Sequence, residues 1–349
     1  MSKNNFHVYN DKIIENTANN LMNENLIDIY QLSQFNFIHI KYDEKLLFFI
    51  NVNKNKIFYL PIIVKRVKDS NDIFFFETLH GYSGPVSNST EKFFLNESWK
   101  KFHENCVNQN IISGFIRFNP FLKNHVIAEH ANFINIEKAK KIIFSKLDQN
   151  YDFFYSKYNK NVKKNLKNFK KSDLALIEIV NEDYIKQFSK LYMQSMEEKS
   201  SLKSLRYDLN YFNNLKKYFK ENLGLISVLE PKNNNYLSGL IYLKFKNKIH
   251  VHLSCSSKLG RKFSAPFGMR NFLFEKFAET SNIINFGGGN TSKEDDSLFS
   301  FKKGFSENCD DYFIGKVVIN KDLHDQVSRK FNMIENNIFK DMHIPYRIE

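Results

Sequence analysis

Ile283-Ile284-Asn285-Phe286-Gly287-Gly288-Gly289, followed after a polar turn by Asp295-Asp296-Ser297-Leu298-Phe299-Ser300-Phe301-Lys302-Lys303-Gly304-Phe305, is the stretch around which the rest of the chain is ordered. Its first four residues read as a short buried strand. Three glycines end it; lacking Cβ atoms, they admit positive φ and let backbone come close to a ligand. Asp295 or Asp296 can cap the helix that follows, and Gly304 stands where a C′ glycine would close it. The spacing predicts a two-turn helix over 297–303 that presents Phe301 or Lys302 above the glycines. Gly288, Gly289 and Phe301 are therefore candidate substrate-contact positions. The chain contains no GxGxxG and no GxxxxGK[ST], so neither a dinucleotide fold nor a P-loop is expected.

Immediately upstream, Ile249-His250-Val251-His252-Leu253-Ser254-Cys255 reads as a strand. Regular alternation would place His250, His252 and Ser254 on one face. A neutral imidazole with an ordinary pKa near ~6.5 is a natural acceptor for an amine proton, which makes His252 a candidate base. The alternative is a half-exposed strand face with no chemistry. Cys255 is discounted as a nucleophile, because alternation points it away from His252. No third ligand at suitable spacing supports a metal site. The turn 256–266 joins this strand to a helix over 266–280. With Lys258, Arg261 and Lys262 near a helix N-terminus, it is a candidate phosphate site or a solvated basic loop.

Strands are expected at Phe37–Tyr42, Leu46–Val52, Ile57–Val67, Ile73–Leu79 and Ile111–Phe118, with a helix at Thr90–Asn108. β-Branched and aromatic runs separated by polar turns carry that reading. Gly81-Tyr82-Ser83-Gly84-Pro85 and Arg117-Phe118-Asn119-Pro120 leave strands into proline turns; Tyr82, Gly84, Arg117 and Asn119 are candidate substrate contacts. Phe153–Lys171 reads as one basic amphipathic helix, with Val162, Leu166 and Phe169 on one face and Lys160, Lys163, Lys164, Lys167 and Lys171 on another. The order from Leu174 to Ile319 is β-α-α-β-β-β-α-β-α-β, with helices at 182–200 and 208–221. The last thirty residues read as a polar helix.

The 349 residues suggest about two domains. A hydrophobic content of 42% and an aromatic content of 15% suffice for large cores. The net charge of +13 favours anionic partners or reflects lysine enrichment by codon bias. Three scattered cysteines argue against a disulfide framework. No signal-like or 18-residue apolar run is present, so a cytoplasmic location is expected. A Gly-x-Ser-x-Gly elbow is absent, which argues against a serine hydrolase.

The β-α order resembles the GNAT acyltransferase fold. Gly81–Pro85, Arg117–Pro120, Leu191-Tyr192-x-x-Ser195-Met196, His252-Leu253-Ser254 and Phe286-Gly287-Gly288-Gly289…Asp296-Ser297-Leu298…Phe301-Lys302…Phe305 are similar to the FemAB-like branch of that superfamily, in order over residues 37–319. The resemblance implies an α/β (α+β) protein with two GNAT-like lobes and a cleft between them: an N-terminal lobe at 1–150, an acyltransferase lobe at 151–320 and a helical tail at 321–349. It implies transfer of an acyl group to an amine of an amino sugar or of a polysaccharide or peptidoglycan precursor. The implied donor is acyl-CoA or, as the runner-up, aminoacyl-tRNA, with no permanently bound cofactor. Lys302 matches the lysine thought to steady transition-state charge in that branch, and His252 or Asp296 would accept the proton. Lys258–Ala265 echoes only part of the superfamily's phosphate cradle. The long helical arm of the tRNA-dependent cell-wall enzymes has no counterpart here. A non-catalytic GNAT pair that binds nucleic acid or associates peripherally with an anionic surface is the competing expectation.

Overall fold

The structure, a computed structural model, describes residues 5–198, 205–280, 282–293, 295–334 and 342–347. Its contacts divide the chain into two compact units, residues 1–139 with 311–349, and residues 140–310. The boundary expected at 150 and the separate tail expected at 321–349 do not follow this division, because the C-terminal residues pack with unit 1.

In unit 1, β1 (Phe6–Val8), α1 (Lys12–Asn23) and α2 (Ser33–Phe37) precede β2 (Lys45–Asn53), β3 (Lys56–Arg66), β4 (Phe74–Glu77) and β5 (Val86–Ser87). Then come α3 (Lys92–Asn108), β6 (Ile111–Arg117), α4 (His125–Ala128) and the start of β7 (Ile134–Lys146). The strands run β1-β2-β3-β4-β6, and β6 pairs antiparallel with Ile314–Val318 of the last strand. α3 lies on this sheet and buries Trp99 and Phe102 against Phe49, Phe58 and Phe76. The strand expected at Phe37–Tyr42 is not formed. There the Asn36 side chain donates to the Tyr30 and Leu32 carbonyls and holds a helical turn instead. Asparagine readily competes for local backbone in this way.

Unit 2 takes the rest of β7, then α5 (Tyr151–Lys157), α6 (Lys160–Lys170), β8 (Ala175–Glu178), α7 (Glu182–Glu198) and α8 (Leu209–Phe219). These are followed by β9 (Leu223–Glu230), β10 (Asn235–Phe245), β11 (Lys248–Ser256), α9 (Lys258–Lys262), α10 (Ala265–Phe277), β12 (Ile283–Gly288) and α11 (Ser297–Lys303). Its strand order is β7-β12-β11-β10-β9-β8. α10 buries Met269, Leu273 and Phe274 against Ile226, Val228, Leu240, Ile284 and Phe286. The basic helix expected at Phe153–Lys171 is two helices. Asn159 accepts from the Val162 N–H and starts α6 afresh. The end of the helix expected over 182–200 lies outside the described residues. Among the described residues, no helix is long and apolar enough to cross a membrane.

The chain returns to unit 1 through β13 (Cys309–Val318) and α12 (Lys321–Asn332). Part of the helix expected over the last thirty residues lies outside the described ones. Phe331, Ile344 and Tyr346 are buried against Val67, Phe75 and Ile112. Tyr346 shares hydrogen bonds with Ser113 at 2.5 Å and with His324 Nδ1 at 2.7 Å. His343 Nε2 reaches the Gly114 and Val317 carbonyls at 3.0 and 3.1 Å. Burial, and then the neighbouring His324, hold His343 down at about 4, and burial lowers His324 as well. An unfolded chain takes up these protons near the usual 6.5, before the folded one does. The stability they contribute is therefore whole above about 6.5 and is lost progressively as pH falls towards about 4. Thermal melts at pH 7 and pH 5 are expected to show a drop that is smaller in His343→Gln.

Candidate active site

Three features of strand pairing open one end of the sheet in unit 2. β11 and β12 pair in parallel only from Lys248–His250 with Ile283–Asn285, although β11 runs on to Ser256 and β12 to Gly288. At the same level the outer ladder of β11 with β10 slips, and its register passes over His252. The ladder of β12 with β7 slips too, and its register passes over Phe286. Bulges bend a strand and increase its twist, so paired bulges where the shared ladder stops are what separates the two strand ends. Gly287 permits its bulge with φ +73°, while the Asn285 side chain accepts from the Gly287 N–H at 2.9 Å.

α11 closes this end. Asp296 caps it, accepting from the Phe299 N–H at 2.9 Å, and its other oxygen accepts from the Thr291 N–H and hydroxyl at 2.9 and 3.1 Å. Of the three glycines only Gly287 has positive φ. The other two serve close approach. A Cβ on Gly289 would lie 2.5 Å from Asp296 Oδ1, and one on Gly288 would lie 2.9 Å from the Lys141 carbonyl. Gly304 is not left-handed either, with φ −61°. A Cβ there would sit 2.7 Å from Val162, so the glycine lets α6 pack on the end of α11.

The helix turns Lys302 back towards the glycines. Its Nζ donates to the Gly288 carbonyl at 2.6 Å, and Lys140 Nζ donates to the Gly289 carbonyl at 2.9 Å. Lys302 is only 8% exposed. Arg270, on the buried face of α10, is 4% exposed. Its Nη2 donates to Ser254 Oγ at 3.4 Å and its Nη1 to the Pro266 carbonyl at 3.2 Å. Its guanidinium stands 4.6 Å over the Phe301 ring. Ser254 on β11 and Gly288 on β12 thus each hold a buried cation beside the opening. Burial lowers Lys302 to about 7, with Arg270 and Lys140 pushing the same way and Asp296 opposing them. An ammonium so placed, in a dry site, is suited to steady a developing oxyanion.

The structure brings together the predicted Lys302, Gly288, Gly289, Phe301 and Asp296, and assigns several of them other work. Asp296 is a helix cap. Its N–H donors, Phe299 first, hold the carboxyl at about 2, too acidic for an efficient proton acceptor. Asp296→Ala is expected to lower stability by about 1 kcal/mol, the usual worth of a cap, which a denaturant melt would measure. Phe301, half-buried, covers Arg270 and packs edge-on against Phe267 at 4.8 Å.

His252 does not join Lys302. The bulge undoes the expected alternation: Ser254 meets Arg270 on α10, whereas His252 Nε2 bonds Tyr211 Oη on α8 at 2.6 Å. His250 is fully buried beside the Asn285 amide, at 3.2 Å. Cys255 is buried against the Phe188 carbonyl of α7, on the His252 side rather than away from it.

Lys258, Arg261 and Lys262 lie on the single turn of α9, not on an open loop. Ser257 caps that turn, and Arg261 donates to the Ser256 carbonyl at 2.5 Å with Glu198 3.7 Å away. α10 starts at Ala265, after Ser264 in left-handed conformation.

The remaining predicted residues belong to unit 1, where Arg117, Asn119 and Gly84 are held by neighbouring groups. Arg117 is bound by Glu77 at 2.9 Å and by the Thr78 carbonyl at 2.7 Å. Asn119 donates to Asp28 and to the Tyr82 carbonyl, and its oxygen accepts from the Phe121 and Leu122 N–H groups. Gly84 takes φ +85° against Asn124 and Phe118. Tyr82 stays half-exposed, edge-on to Tyr30 and Tyr312.

Sequence reasoning missed Lys140 and Arg270. Arg270 did leave a signal: it falls on the same helical stripe as Pro266, Leu273, Phe274 and Phe277, where a charge is out of place.

No protein-family model and no curated protein matches the sequence. Solved structures do share its fold. FemX superposes with a TM-score of 0.68 at 14% identity, covering 90% of this chain and 98% of that one. L-PGS from Bacillus licheniformis gives 0.58 at 11%, covering 92% and 96%. A tandem GNAT protein from the clavulanic acid biosynthesis pathway gives 0.53 at 8%, covering 90% and 98%. The chain therefore has the FemAB-like GNAT fold, as its motifs imply.

Proposed function

We propose that the protein is an N-acyltransferase, moving an acyl or aminoacyl group from an activated ester or thioester to an amine, with Lys302 steadying the oxyanion. The observation that carries this reading is the buried Lys302 ammonium at the Gly288 carbonyl, beside the opening between β11 and β12. Attack on the carbonyl carbon converts its oxygen to an anion. A fixed cation in a water-poor site favours that state over the neutral ground state. The acceptor class that fits the fold's relatives by resemblance is an amino sugar or a cell-envelope precursor, handled from the cytoplasm. Screening acyl-CoA and aminoacyl-tRNA donors against such amines tests the reading; no transfer with any pair would count against it.

α6 bears on the donor. Lys160, Lys163, Lys164, Lys167 and Lys171 line one shallow groove with Asn168. Among the described residues none of these lysines has an acidic partner within ion-pair distance. A polyanionic donor would meet them, and the double variant Lys163→Ala/Lys164→Ala is expected to raise its KM and flatten the dependence of KM on salt by about two charges. RNase treatment separates an aminoacyl-tRNA donor, whose transfer it stops, from acyl-CoA, whose transfer it leaves intact. The competing non-catalytic reading predicts the same salt-sensitive binding with no transfer.

A further inference from the structure

We propose that Arg270 and Ser254 form a carboxylate-binding subsite at the opening between β11 and β12, which grips an anionic group carried by the substrate. The inference deepens the proposed transferase by naming that group, and it rests on that reading only in assigning the carboxylate to a substrate.

Arg270 is 4% exposed, on the face of α10 that also buries Met269, Leu273 and Phe274. Burial lowers its guanidinium to about 10, which leaves it charged at neutral pH. Among the described residues no carboxylate pairs with it. Arg117, buried to a similar degree in unit 1, has Glu77 at 2.9 Å. A buried guanidinium without counter-charge is costly to keep, and an apolar side chain would fill the same space against Phe301.

The donors left over share one edge of the guanidinium. Nη1 is taken by the Pro266 carbonyl, one turn back on the helix, at 3.2 Å. Nε and Nη2 present two parallel N–H groups at the spacing of carboxylate oxygens. There Nε has no partner among the described residues, and Nη2 has Ser254 Oγ at 3.4 Å. The Ser254 hydroxyl accepts that bond and keeps its own proton to donate. The Phe301 ring, 4.6 Å away, covers the guanidinium face, which directs a ligand to the edge.

Ser254 is half-buried and stands on β11 beyond His250, the last residue paired with β12. The fork therefore sits where the strands have parted. A carboxylate brings two coplanar oxygens and one charge, which match one fork and one hydroxyl. A phosphate dianion brings a third oxygen and a second charge, and needs more donors than these.

The test needs no transfer. The Arg270 Nε–H resonance, assigned by its loss in Arg270→Lys, is followed by proton–nitrogen NMR of the full chain at constant ionic strength. The probes are acetate, β-alanine and monomethyl succinate, with acetamide and inorganic phosphate as controls. The carboxylates should shift the resonance saturably, and the controls should not. β-Alanine carries its carboxylate on an amine and monomethyl succinate on an ester, so the tighter of the two tells acceptor from acyl group. The same carboxylates should raise the melting midpoint of the wild type and leave that of Arg270→Met unmoved. Arg270→Lys keeps the charge, loses the fork and should bind them about tenfold more weakly; it takes the comparison if Arg270→Met does not fold. A resonance unmoved by every carboxylate, or moved as much by acetamide or phosphate, overturns the proposal. So does an equal rise in midpoint for wild type and variant. Loss of transfer in Lys302→Met beside an unmoved Arg270 resonance would sink the subsite and spare the proposed function; carboxylate binding without transfer from any donor would do the reverse.

Discussion

Glu77→Gln is expected to destabilise unit 1 by about 3 kcal/mol or more, because it strips the shared counter-charge from several cations at once. Glu77 is 3% exposed at the end of β4. It meets Arg117 Nη2 at 2.9 Å, Arg347 Nε at 2.6 Å and Lys65 Nζ at 4.0 Å. Burial alone would raise its carboxyl, but Arg117, Lys65 and Arg347 together hold it at about 2. The glutamine keeps the shape and removes the charge, leaving Arg117 buried and uncompensated. The pH dependence has a definite sign: a carboxyl lowered on folding stabilises fully above its ordinary value of 4.5 and loses that contribution as pH falls towards 2. Denaturant melts of the variant should show the loss at pH 7. A midpoint within error of the wild type would mean that the cluster is solvated and idle.

Lys302→Met is expected to lower kcat by about 10²- to 10³-fold, the usual cost of one oxyanion-stabilising donor. The fold should survive it. Methionine matches the lysine stem, and the ammonium it replaces is disfavoured by burial, Arg270 and Lys140. Because the folded lysine at about 7 releases its proton more readily than the unfolded chain at 10.5, the wild type gains stability as pH rises through that window. The methionine variant has no such dependence, so at pH 7 its melting midpoint should equal or exceed that of the wild type. A loss of activity accompanied by an unchanged melt separates chemistry from folding.

Much of this arrangement is written in short-range patterns. α11 runs from Ser297 to Lys303 as the Asp296 cap and Gly304 foretell. The strands of unit 1 from Leu46 onward follow their runs of aromatic and β-branched residues. What alternation could not show is where it breaks. The bulges at His252 and Phe286 depend on neighbouring strands distant in sequence, and they decide which face each side chain takes. They separate His252 from Ser254 and open the space that Lys302 borders. β7 was hidden because Glu137, Lys138, Lys140 and Lys141 interrupt its apolar residues, although two of these charges find Asp311 and the Gly289 carbonyl as partners. Arg117 and Asn119 read as ligand contacts because their partners, Glu77 and Asp28, are 40 and 91 residues away.

The most direct measurement is a single-turnover experiment with saturating enzyme and an active donor, comparing wild type with Lys302→Met while the donor Kd is determined in parallel. If Lys302 acts on the reacting carbonyl, the rate constant for acyl transfer falls by about two orders of magnitude or more and the donor Kd stays within a few-fold. An unchanged transfer rate, or a loss that appears only in the donor Kd, would place Lys302 outside the chemistry.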